Sequence, residues 1–149
     1  MKKFYIYPPI LVAINFVVLL PIGIIFVKKN LGILDYISIG IGAILTILFI
    51  LSFILTHRVE QVHRKPDKVE VLVTDGIYSR IRHPSYAGIV LLNLAYLLFF
   101  RTYFLIPPVI LFIMLWYLEA KYEESILLNK FGNEYRKYMK RAWMFFPKF

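Results

Sequence analysis

The sequence predicts an all-α integral membrane protein. Four transmembrane helices are expected, the last two closed into a tight hairpin, followed by a cytoplasmic amphipathic helical segment. Three observations carry this reading. Apolar residues make up 60% of the 149 positions and aromatics 17%, whereas a soluble domain holds nearer half apolar residues and breaks them into short periods. Those apolar residues come in long blocks, so the natural solvent of the chain is lipid. Finally, 15 of the 18 lysines and arginines fall in segments that four spans would place on one side.

Taken in order, the first block runs over 6–27, after Lys2 and Lys3 and before Lys28 and Lys29. A basic start followed by an apolar run also describes a signal peptide. This run is long for one and no small-residue cleavage site follows it, so it reads as a helix with a kink point at Pro21. The second block, 36–55, has roughly the 20 residues that a bilayer core requires. Within it Ser38, Gly42 and Thr46 recur every fourth residue, a spacing that lets another helix approach closely. A charged and polar connecting segment, 56–84, holds Pro66 and a short extended piece, Val69 to Val73. The third helix is expected over 85–103 and the fourth over 104–124, with Pro107 and Pro108 in its first turn. Only Arg101 and Thr102 separate them. In the tail, 125–149, Ile126, Leu127, Phe131, Tyr135 and Tyr138 fall near helical spacing, and Gly132 divides two helices. The chain forms a single membrane domain, 1–149.

The net charge of +9 fits basic loops facing anionic lipid rather than nucleic acid. With the lysines and arginines so one-sided, the positive-inside rule places both termini and the connecting segment in the cytoplasm. Cysteine is absent, which excludes disulfides and thiolate metal sites. His57 and His63 lie six residues apart and share no helical face, so no metal site is expected.

The hairpin organises the chemistry. The start of the third helix, Arg82-His83-Pro84, and the end of the fourth, with Glu119, Glu123 and Glu124, must lie at the same depth on adjacent helices. One end brings cations, an imidazole and helix N–H groups suited to an anion such as a ligand carboxylate. The other brings carboxylates, with Glu119 and Glu123 one turn apart on one face and Glu124 rotated by about 100°. A zwitterionic ligand carrying a sugar matches this pair of ends. Read alone, Arg80, Arg82 and His83 are equally well juxtamembrane anchors, Tyr78 and Tyr86 an interfacial aromatic belt, and Glu123-Glu124 a solvated helix face.

The run Leu72-Val73-Thr74-x-Gly76-x-Tyr78-x-x-x-Arg82-His83-Pro84-Ser85-Tyr86-x-Gly88 resembles the signature of the isoprenylcysteine carboxyl methyltransferase family. That family belongs to a wider group with the phospholipid N-methyltransferases. Glu123-Glu124-x-x-Leu127, then Phe131-Gly132-x-Glu134-Tyr135-x-x-Tyr138, resembles its second half. The likeness runs from Val69 onward, and the first two helices match only as apolar spans. It implies a methyltransferase that uses S-adenosyl-L-methionine and releases S-adenosyl-L-homocysteine. By similarity, Val71, Leu72, Val73 and Tyr78 enclose the cofactor, His83, Pro84, Ser85 and Tyr86 hold its amino-acid end or sulfonium, and Glu123 contacts it from the last helix. Arg82 and Glu124 are assigned to catalysis. Aromatic faces stabilise a sulfonium cation, and an in-line methyl transfer needs mainly alignment. The expected acceptor is a membrane lipid or lipidated substrate that enters from the bilayer.

One position departs from the pattern. Carboxyl-methylating relatives carry an arginine for the substrate carboxylate where this chain has Glu119, which is assigned to substrate binding. An acid there suits an amine, so phospholipid amine or thiol methylation stands as the alternative to isoprenylcysteine-type carboxyl methylation. Membrane sterol reductases share an Arg-His-Pro-x-Tyr-x-Gly segment, but Glu123-Glu124 would repel the 2′-phosphate of NADPH. A small transporter would need an ionisable group at mid-membrane, which the first two blocks lack. A non-catalytic scaffold would leave the paired motifs without a reason.

Overall fold

The computed structural model describes residues 7–59 and 66–146, and all of its regular elements are helices. They are α1 (Pro8–Ile25), α2 (Ile33–His57), α3 (Pro84–Phe100), α4 (Ile106–Phe131) and α5 (Asn133–Arg141). The expected start of the first helix at Ile6 lies outside the described residues, as do Lys2, Lys3, His63, Arg64, Lys65 and Lys148. Among the described residues, α1, α2 and the stretch Tyr103–Phe131 are long and apolar enough to cross a membrane; α3 is apolar and 17 residues long.

Each difference from the expected boundaries has a local cause. Helix α2 starts at Ile33, three residues early, because the Asp35 carboxylate accepts from the Gly32 amide at 2.7 Å and caps the first turn. Helix α3 ends at Phe100 rather than 103, since Arg101 takes a left-handed conformation, φ 49°. A single 3-10 turn, Tyr103–Leu105, then leads into α4, with Pro107 and Pro108 in its first turn. Helix α4 runs past residue 124 to Phe131, because the change to charged residues marks a change of surroundings and not a loss of helical backbone. Gly132, φ 53°, breaks it from α5. Residues 69–73 form no strand; they run between the 3-10 turns Pro66–Lys68 and Gly76–Ser79. Pro21 sits within α1 without ending it.

Helix α3 is the hub. Ten of its 17 residues are buried, and it packs on α1, α2 and α4. Small side chains permit the closest approach, to α2. A Cβ on Gly88 would meet Ser52 Cβ at 3.2 Å, and one on Gly42 would meet Phe99 at 3.1 Å. Ser38 Oγ donates to the Leu98 carbonyl at 3.0 Å and Ser52 Oγ to that of Pro84, which fixes α2 antiparallel to α3. In the apolar interior Asn15 of α1 and Asn93 of α3 exchange two amide hydrogen bonds, each 2.9 Å. The Trp116 indole N–H of α4 points at the same Asn15 oxygen, 3.4 Å away. At the end of the bundle near Phe100, Asp35 is held by Lys28 at 2.9 Å and Arg101 at 3.4 Å. The opposite end gathers Pro8, His57, Pro84 and Glu123 around one cavity. Large apolar side chains cover the outside: on α2, Ile33, Leu34 and Ile37 are 80%, 75% and 56% exposed. Such a continuous apolar face belongs in lipid.

Candidate functional site

The site begins with a turn. Gly76 adopts φ 58° and opens the 3-10 turn Gly76–Ser79, which reverses the chain toward α3. Residues 80–83 are then held against the segment after α5 by backbone hydrogen bonds. The Arg82 amide donates to Trp143 O (2.8 Å), the His83 amide to Met144 O (3.0 Å) and the Trp143 amide to Arg80 O (3.1 Å). His83 stands at the N-cap of α3 with Pro84 behind it as the first helical residue. Helix α5 and the residue that follows it seal the outside by burying Tyr135, Tyr138 and Ala142 against Leu72, Leu127, Leu128 and Phe131. The Tyr138 hydroxyl donates to Tyr78 O at 2.8 Å, and Lys130 Nζ reaches Asp67 O at 2.8 Å.

Two cations and two carboxylates interlock at the junction of α3 and α4. Arg82 Nε donates to Glu124 Oε1 at 2.7 Å, while its Nη1 donates to the carbonyls of Met139 (3.3 Å) and Ala142. The His83 ring lies between the acids, with Nδ1 3.4 Å from Glu123 and Nε2 3.5 Å from Glu124. The Tyr86 hydroxyl donates to Glu123 Oε1 at 2.6 Å. Its ring stacks on His83 (5.5 Å, 10°) and leans on Trp116 (4.9 Å). Burial by itself would push the His83 imidazole down, but the Glu123 and Glu124 carboxylates outweigh it and the net shift is up. Burial pushes the Tyr78, Tyr135 and Tyr138 phenols up, so all three are neutral donors at physiological pH.

These groups wall a cavity of about 550 Å³, a size typical of small-molecule sites. Of the residues singled out in the sequence, Leu72, Val73, Tyr78, Arg82, His83, Pro84, Ser85, Tyr86 and Glu123 line it. Val71 is 63% exposed and stands outside. Glu124 is buried behind Arg82 and is not on the wall. Glu119 is buried on α4, also away from the cavity lining. The remaining wall was assigned no site role in the sequence: Tyr7, Pro8, Pro9 and Val12 near the start of α1, Phe53 and His57 at the end of α2, Pro66 and Val69 in the connection, Ile89 and Trp116, and Leu127, Tyr135 and Tyr138, which entered only as motif positions. Trp116 and Leu127 lie seven and four residues from Glu123, on its helical face, and that spacing was available to find them. Phe53 and His57 are likewise four apart, but nothing in the sequence ties α2 to the motif.

The cavity therefore has two characters. One half, from Tyr78 to Glu123 and α5, is polar and charged. The other, between α1 and α2 over Ile89 and Trp116, is apolar. A donor group at the polar half and an oily acceptor at the other would meet near the His83–Tyr86–Glu123 cluster. Among the described residues no group of histidine, cysteine and acidic side chains is arranged to hold a metal.

A family model for the isoprenylcysteine carboxyl methyltransferase family matches residues 37–129. It takes in α2, which the sequence motifs did not reach. A protein-S-isoprenylcysteine O-methyltransferase of Schizosaccharomyces pombe (strain 972 / ATCC 24843) is 32% identical over 81 residues, 52% of this chain and 34% of that protein. The chain thus covers about a third of that relative's length.

Proposed function

The chain belongs to the isoprenylcysteine carboxyl methyltransferase family, and from that premise we propose that it methylates the carboxylate of a lipidated cysteine, with S-adenosylmethionine as methyl donor. The observation that carries this reading is Glu123, held by Tyr86 and His83 on the polar wall of a cavity whose other half is apolar. The residues present fit the cofactor. Glu123 offers a charge-assisted bond to its ammonium or ribose, the first turn of α3 faces its carboxylate, and the faces of Tyr86 and Trp116 suit the sulfonium. Leu72, Val73, Tyr78, Pro84 and Ser85 would enclose it, while Val71 stands outside.

The bound cofactor supplies an electrophilic methyl group. The protein's part is alignment. An acceptor carboxylate would take that methyl group once the walls of the cavity hold the two groups in line. No proton moves, because the acceptor is ionised at neutral pH. Arg82, on the wall, and Glu124 behind it hold His83 and the start of α3 at the reaction centre. The apolar half takes the lipid, which enters sideways from the bilayer, while the cofactor comes from the aqueous side. We place all four long helices across the membrane, with α5, the 58–83 connection and both termini cytoplasmic. Glu119 shapes the acceptor side of α4 from beneath the surface.

Calorimetry on detergent-purified protein tests the cofactor. S-adenosylhomocysteine is expected to bind, and Glu123→Ala to weaken it about 10- to 100-fold, the span of one charge-assisted hydrogen bond. Binding of NADPH in place of either methyl donor or product would overturn the reading. Radiolabelled methyl transfer then identifies the acceptor: label on a farnesylcysteine analogue is expected, and label on phosphatidylethanolamine would make the acceptor an amine.

A further inference from the structure

The cavity has a floor beneath the His83–Tyr86–Glu123 cluster. Val12 of α1 and Ile89 of α3 line it there. Three residues past Val12 and four past Ile89, one helical turn deeper, stand Asn15 and Asn93. Both are fully buried, and each amide is bonded to the other at 2.9 Å. Further along α1 and α4, Leu19, Val109 and Phe112 are buried as well, so packed side chains fill the bundle below this level.

One ring lies between that sealed layer and the cluster. Trp116 of α4 borders the cavity, yet none of it is left exposed. Its indole N–H points at Asn15 Oδ1, 3.4 Å away, and its ring leans on Tyr86, centroids 4.9 Å apart. The Tyr86 hydroxyl in turn holds Glu123 at 2.6 Å. These two contacts fix the indole from below and above, because a buried N–H that turned from its acceptor would go unsatisfied. The α2 side is looser. Phe53 also lines the cavity, and it is 45% exposed, so the apolar half opens toward α2 and is closed toward α4.

We propose that Trp116 is the specificity-determining residue of the acceptor site. The indole bars bulk beneath the reacting end, so the site takes S-alkylated cysteines that are slender next to the sulfur and turns their tails sideways past Phe53. This rests on the carboxyl-methylation reading above. It has a consequence for the range of acceptors. The width of a tail is read where it begins, by exclusion from a rigid floor. Its length is not read, because the remainder lies in lipid.

The test is equilibrium binding in detergent, which requires no turnover. Two N-acetylcysteine acids with equal carbon count on sulfur, S-undecyl and the compact S-adamantylmethyl, are titrated into wild type, Trp116→Phe, Trp116→Leu and Trp116→Ala. The readout is the ratio of the two affinities, compared between proteins, so that partition into detergent cancels. Wild type is expected to prefer S-undecyl about tenfold or more, the discrimination that a closed apolar pocket supplies. Trp116→Phe, which keeps a ring at the floor, should retain most of this preference. Trp116→Leu should reduce it, and Trp116→Ala, which leaves an apolar hollow, should abolish or reverse it. The ratio between S-farnesyl and S-geranylgeranyl acids is expected to be the same in wild type and Trp116→Ala. A preference for S-undecyl that is absent from wild type, or that Trp116→Ala keeps, overturns the proposal. So does a shift toward the longer tail in Trp116→Ala, which would make the floor the end of a blind channel. If Trp116→Ala does not fold, Trp116→Leu decides, and an unchanged ratio there overturns it. Failure of the methyltransferase reading shows separately, as wild type that binds no S-adenosylhomocysteine. Wild type that binds S-adenosylhomocysteine and neither acid overturns the carboxyl-methylation reading, and this proposal with it.

Discussion

At the scale of single residues, His83 links the site to pH. Its burial disfavours the imidazolium, yet Glu123 and Glu124 on either side raise its pKa above the ordinary value near 6.5. A pKa raised by folding contributes stability that is complete below about pH 6.5 and is lost as pH rises through the folded value. Thermal unfolding in detergent is therefore expected to shift to lower temperature from about pH 6.5 upward. His83→Gln should flatten that slope and lower the melting temperature at pH 6, by about 2–4 °C for each kcal/mol lost. A wild-type profile that instead rises across this window would contradict the assignment. Arg82, His83, Tyr86 and Glu123 were legible in the sequence because the hairpin forces two short motifs to one depth. His57 and Trp116 were not. Their place on the wall depends on how α2 and α4 are rotated about their axes, which side-chain packing decides and a motif does not record.

Among the elements, the amide pair of Asn15 and Asn93 ties α1 to α3 where water cannot substitute. Polar bonds between membrane helices contribute about 1–2 kcal/mol in model peptides. Asn15→Leu strands the Asn93 amide and removes the acceptor of the Trp116 indole, so a loss of about that size is expected. Replacing both amides by leucine leaves neither amide stranded, and Asn15→Leu/Asn93→Leu should recover much of the loss. Thermal denaturation followed by circular dichroism decides this; a double variant as unstable as the sum of the singles would show that the two amides act independently. In the sequence Asn15 was only an interruption of an apolar block, since its partner lies 78 residues away. The stripe of Ser38 and Gly42 was readable, because contact along one face repeats every turn. The length of α4 was not, because composition reports where lipid ends and the backbone continues.

On the proposed four-span topology, 15 of the 18 lysines and arginines of the whole molecule fall on one side, and this could be read from the sequence because it is a sum over loops that needs no packing. The chain also has no cysteine, so single cysteines can be introduced without background. On the proposed orientation, with both termini cytoplasmic, a membrane-impermeant maleimide on intact cells is expected to label Asn30→Cys and to spare Glu70→Cys and Lys137→Cys until the membrane is opened. The reverse pattern would invert the topology. One feature of the site then acquires a kinetic meaning. The cavity wall is stitched along a seam between residues 80–83 and 142–144, backbone to backbone, across some 60 positions of chain. Its amides lie outside any helix, so they exchange with solvent whenever the seam parts, without unfolding of the bundle. A ligand gripped by His83 and Glu123 closes that seam by mass action, and the protected amides of Arg82, His83 and Trp143 become a clock for how long the bound molecule stays.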